Sequence, residues 1–113
     1  MSKREIKLYL ADIVEAIGKI GEYTEGAAFV DFVKDLKTID AVVRNLSIIG
    51  EAVKNIPDAM KMEYPAIAWH EIIGMRNKVV HEYFSVDEDI LWKTIKEDLP
   101  IVQKQIQEIL QGI

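Results

Sequence analysis

The segment Arg76-Asn77-Lys78-Val79-Val80-His81-Glu82-Tyr83 holds the residues of this chain best suited to chemistry. Arg76 is a permanent cation whose planar fork of donors matches carboxylates and phosphates. His81 is a group that exchanges protons near neutral pH. The setting of Arg76 is anomalous. On a helical wheel it falls in the middle of an apolar stripe made by Trp69, Ile72, Ile73, Val79, Val80 and Tyr83. A buried charge without its partner is destabilising by roughly 3 to 5 kcal/mol, and guanidinium cannot escape by neutralising. The position therefore implies a carboxylate partner inside a bundle, a place on a cleft wall, or an interface with a second copy. Conflicts of this kind between pattern and chemistry tend to mark functional sites.

Spacing constrains how these side chains cooperate. His81 lies five residues after Arg76, about 140° round a regular helix, so the two do not point the same way from one helix. Asn77, four before His81, shares its side. Arg76 and Tyr83, seven apart, return to one face within about 20°. A ligand shared by Arg76 and His81 thus needs either a distorted helix end or two subunits. Asp40 and Glu51, on an earlier helix, are the candidate carboxylates for Arg76, and the sequence does not choose between them. Glu51 lies off the apolar stripe of its own helix.

Other chemistries fit poorly. His70-Glu71 resembles the start of a zinc-protease pattern, but that pattern needs a second histidine where Gly74 stands. His70 and His81 are three helical turns apart, too far for one metal ion, and the chain has no cysteine. No metal and no cofactor is expected. Gly18 and Gly21 read as helix-ending glycines rather than a phosphate loop. Ser2, Ser47 and Ser85 lack the setting of a nucleophile. Trp69 and Tyr64 read as core or rim residues rather than ligand-stacking ones.

The elements that must position Arg76 and His81 follow from composition and periodicity. The 113 residues are half hydrophobic, with only 3 prolines and 6 glycines, which fits a single domain spanning residues 1–113. The lack of cysteine suggests a reducing, cytoplasmic location. No apolar run nears the ~18 residues of a membrane span. A net charge of −5 argues against broad nonspecific nucleic-acid binding, while leaving room for a local basic patch at Arg76 and Lys78. Apolar residues recur with helical spacing almost throughout. Ile6 to Ile20 mark a first helix ending around Gly18 to Gly21, and a short amphipathic piece covers Ala27 to Leu36. Ile39 to Ile56 form a helix closed by Pro57, with Gly50 at the centre of its stripe, where a missing side chain lets another helix approach. Residues 57–65 form a connection, and Ile67 to Phe84 carry the motif. Ser85 to Glu88 reads as a capping box opening the next helix. Leu99-Pro100 starts the last. The expected fold is an all-α antiparallel bundle of four main helices plus short ones.

At these residues the chain resembles a known family. Arg76-x4-His81-x-Tyr83 matches the Arg-x4-6-His signature of the HEPN superfamily, in the Arg-x4-His-x-Tyr form of its HepT group. Ile48-Ile49-Gly50-Glu51-Ala52, Tyr64-Pro65 through Trp69, Ile73 to Asn77 and His81 to Asp87 are similar to that group's segments in order and spacing. The resemblance covers roughly residues 5 to 110. It implies a helical bundle dimerising through the motif face and a metal-independent endoribonuclease with RNA, possibly tRNA, as substrate. It further implies a toxin of a toxin-antitoxin module, whose partner is a minimal nucleotidyltransferase antitoxin that transfers AMP to the motif tyrosine. Carried over by position, Arg76 and His81 are the expected catalytic pair, Asn77 a supporting group and Tyr83 the modified residue. A noncatalytic helical dimer that binds a nucleotide or a partner protein is the alternative, and the acidic net charge favours it.

Overall fold

The structure, a computed structural model, describes residues 1–79 in full, the backbone of Val80 and His81, and residues 87–113. Every regular element among the described residues is helical. α1 (Lys3–Thr24) opens on Ser2, whose hydroxyl accepts from the Glu5 amide at 3.2 Å and donates to the Glu5 carboxylate at 3.1 Å. The first of these bonds satisfies one of the backbone donors that a helix start leaves orphaned, and the second fixes the serine hydroxyl. α2 (Phe29–Phe32) is a single turn, and α3 (Leu36–Asn55) is capped by Asp35, which accepts from the Thr38 amide at 3.1 Å. α4 (Asp58–Glu63), α5 (Trp69–His81), α6 (Glu88–Lys93) and α7 (Leu99–Gly112) complete the chain, a π-helical stretch at Thr94–Asp98 joining the last two.

Four long elements, α1, α3, α5 and the α6–π–α7 run, form the bundle, as the periodicity predicts. α3 packs against both α1 and α5, and α1 against α7. Leu10, Ile13, Ile17 and Ile20 of α1 meet Val42, Leu46, Ile49 and Val53 of α3, with Val102, Ile106 and Ile109 of α7 closing the core. These are the residues at helical spacing in the sequence, and their burial is the main force holding the elements together.

Two boundaries differ from the sequence reading. α1 does not stop at Gly18 to Gly21 but continues to Thr24, and Gly26, at φ 73°, is the residue in left-handed backbone after it. Each internal glycine disfavours a helix by about 1 kcal/mol. Burial of Ile17 and Ile20 on the same turns outweighs that. The piece expected at Ala27 to Leu36 is only one turn, and Leu36 already belongs to α3. The capping box expected at Ser85 falls outside the described residues. The cap of α6 is Asp87, which accepts from the amides of Asp89 at 2.9 Å and Ile90 at 3.3 Å.

Trp69 is core, as expected: it is buried, and its indole N–H donates to the Tyr64 carbonyl at 3.0 Å. That bond ties the start of α5 to the chain entering it. No helix among the described residues is long and apolar enough to cross a membrane.

Candidate active site

The site is built at the crossing of α3 and α5, and Gly50 makes the crossing possible. A β-carbon on Gly50 would lie 2.1 Å from Cβ and 2.2 Å from Cγ of Arg76. The stem of Arg76 therefore occupies the space that a side chain at position 50 would fill, flat against the α3 backbone. This seat places the arginine side chain mostly out of water, at 18% exposure.

The guanidinium is held from two sides. Nη2 donates to Oε1 of Glu51, and Nη1 donates to Oδ1 of Asn77 at 3.0 Å. Of the two carboxylates the sequence offered, Glu51 is the one bonded to Arg76. Its side chain is 48% exposed, so the pair stands at the rim of the bundle and not inside it. The remaining nitrogen, Nε, is buried and has no hydrogen-bond partner among the described residues. A buried unpaired N–H carries a penalty of about 1–3 kcal/mol.

The sequence contained a signal for Glu51 that helical wheels of single helices do not reveal. Gly50 is the one gap in the α3 stripe, and Arg76 is the one charge in the α5 stripe. Two helices that fit gap to bulk bring Arg76 onto Gly50, and the carboxylate beside that gap is Glu51.

Arg76 and Asn77 are thus brought together, and Glu51 joins them. His81 is the last residue of α5, and its side chain lies outside what the structure describes; Tyr83 lies outside the described residues altogether. α5 is a regular α-helix from Trp69 to His81. On an ideal helix, positions five residues apart are separated by about 140°.

A groove of about 370 Å³ separates α5 from the π–α7 run. Its walls include Leu46, Ile49, Ile72, Met75 and Val102, and its charged residues are Glu71 and Asp98. Among the described residues its lining has two carboxylates and no cation, a poor seat for a polyanion. Among the described residues no cluster of three or more histidine, aspartate or glutamate side chains could hold a metal ion.

Comparison with known proteins agrees with the motif. The family model described as Ribonuclease HepT-like matches residues 13–109. A protein of Thermococcus cleftensis named "Probable ribonuclease HepT" is 50% identical over 107 residues, covering 95% of this chain and 97% of that protein. A relative from Caldanaerobacter subterraneus subsp. tengcongensis, whose name marks it as an RNase by inference, is 46% identical and covers 91% of this chain and 92% of itself. One from Methanocaldococcus jannaschii, named in the same way, is 40% identical across 100% of this chain and 93% of its own length. No solved structure matches the chain.

Proposed function

The chain belongs to the HepT-like ribonuclease family, and from that premise we propose a metal-independent endoribonuclease that acts as a homodimer, with Arg76 and His81 as its catalytic pair. The observation that carries this reading is the held guanidinium: a cation seated on Gly50, braced by Glu51 and Asn77, with one donor still unpaired. Evenness of α5 up to His81 supports a composite site, because two subunits can aim the two side chains at one phosphate where one regular helix cannot.

In this mechanism the 2′-hydroxyl of RNA attacks the adjacent phosphorus. The 2′-O–P bond forms, the P–O5′ bond breaks, and the products are a 2′,3′-cyclic phosphate and a 5′-hydroxyl. His81 moves the protons, work for which imidazole is suited at neutral pH. Arg76 stabilises the charge growing on the phosphoryl oxygens. His81→Ala is expected to lower RNA cleavage about 10²-fold while the helical spectrum and melting temperature stay unchanged. A His81→Ala protein that cleaves RNA like its parent, in the presence of a chelator, would refute the assignment.

The finer reading is a toxin in the cytoplasm, with tRNA as a candidate target, silenced by a minimal nucleotidyltransferase. The Tyr83 oxygen would attack the α-phosphorus of ATP and release pyrophosphate. That adds a phosphate and a nucleoside where RNA must enter, so bulk and like charge close the site. Incubation with the nucleotidyltransferase, ATP and magnesium is expected to add the mass of AMP at Tyr83 and stop cleavage. Mass spectrometry that finds the label on another residue counts against this regulation. A purified dimer that binds nucleotides yet leaves RNA intact would instead support the noncatalytic binding module.

A further inference from the structure

We propose that Glu51 is an internal competitor of substrate phosphate: a counter-ion that must release Nη2 of Arg76 before the guanidinium can grip RNA with two hydrogen bonds. The inference rests on Arg76 being the phosphate clamp. It follows from which nitrogens are taken. A guanidinium offers an oxyanion two bidentate edges, Nη1 with Nη2 and Nε with Nη2, and Nη2 belongs to both. Here Nη2 is bonded to Glu51 and Nη1 to Asn77, while Nε is buried. The first edge is occupied by protein oxygens, and the second begins at a nitrogen shut away from solvent. A phosphate gains a two-point grip on the first edge by displacing the Glu51 carboxylate from Nη2 and taking the place of the Asn77 oxygen on Nη1.

The rim position of the pair makes such an exchange feasible. The Arg76 stem is fixed by its seat on Gly50, so the arginine stays against α3 when Glu51 lets go. The Glu51 side chain is half exposed, and ion pairs open to water are weak enough for a better-matched anion to displace them. Once released, the carboxylate hydrates. In a chain of net charge −5, this arrangement keeps the cation from binding polyanions nonspecifically, and only a phosphate whose neighbours also fit the site wins the exchange.

The test is binding of a single-stranded oligoribonucleotide to the full chain at several salt concentrations, with His81→Ala throughout so that the RNA stays uncut. Glu51→Gln keeps a carbonyl oxygen for Arg76 and removes the charge. It is expected to tighten binding about fivefold. It is also expected to steepen the dependence of log affinity on log salt by about 0.7, one phosphate contact on a single strand. The steepening arises because RNA binding to the parent frees a phosphate's counterion while the released Glu51 recruits one, whereas in the glutamine variant nothing offsets the release. Unchanged or weaker binding by Glu51→Gln overturns the proposal. So does a Glu51→Ala defect that Glu51→Gln restores, which would make Glu51 a positioning residue. Arg76→Ala separates the two levels. If it binds RNA as tightly as the parent, the clamp has failed and the competitor with it. If it weakens binding while Glu51→Gln has no effect, the competitor alone has failed. Should Glu51→Gln not fold, the carbon resonance of the Glu51 carboxyl in the otherwise unchanged chain is read instead. RNA binding must shift it toward the value of a free carboxylate, and a resonance that stays put is fatal.

Discussion

Arg76→Ala is expected to lower kcat/KM for RNA cleavage about 10³-fold, more than the loss of His81. One cationic group is asked to supply two effects: ground-state grip on the phosphate and stabilisation of charge developing on its oxygens. Loss of a single preorganised donor already lowers turnover by about 10²- to 10³-fold. Stability should change little. The carboxylate left behind, Glu51, is half exposed and can hydrate, so the change does not strand a charge in the core. Arg76→Lys restores the charge without the planar fork and is expected to recover only a small part of the rate. Arg76→Met decides between this reading and an ion pair that serves structure alone. Methionine can fill the seat on Gly50, and a structural pair replaced by a well-packed apolar residue is often neutral or stabilising. Kinetics on folded Arg76→Met protein that match the parent would therefore dismiss Arg76 from catalysis.

Much of this architecture was legible in the residues. The four long helices follow from apolar stripes, because burial of Ile13, Leu46 or Ile106 depends on spacing that a sequence displays directly. The end of α1 was not legible. Gly18 and Gly21 are local signals to stop, and the isoleucines that override them act only once α3 and α7 are in place. The same distinction runs through the site. The charge at Arg76 stood out against its stripe, and Gly50 stood out as a gap. That the two meet, and that Glu51 completes the pair, belongs to the crossing of α3 with α5, which no single-helix pattern encodes. The cap of α6 at Asp87 likewise depends on where Leu91 and Ile95 must enter the core, which local pattern does not display.

Gly50→Ala is expected to be the most damaging single-methyl change at the site, destabilising the chain by roughly 3 kcal/mol, near the upper range for overpacking. Helix propensity argues the other way, since alanine is favoured over glycine by about 1 kcal/mol in a helix interior. The clash decides the sign. To bring the new carbon from 2.1 Å to the ordinary contact distance of 3.4 Å, it and Cβ of Arg76 must part by about 1.3 Å. Cβ is bound to the α5 backbone and cannot rotate away, so the helices themselves must separate. That movement carries the guanidinium off Glu51 and out of register with its substrate. Misplacement by about 1 Å can lower turnover roughly 10²-fold even with every catalytic group present. Double variants test the cause. Arg76→Ala should not relieve Gly50→Ala, because the nearest atom, Cβ, remains. Arg76→Gly should relieve most of it, less the ~1 kcal/mol that a helical glycine forfeits. Thermal unfolding of the three variants reads the outcome, and a Gly50→Ala chain that melts with its parent would mean that α3 and α5 do not meet at this point.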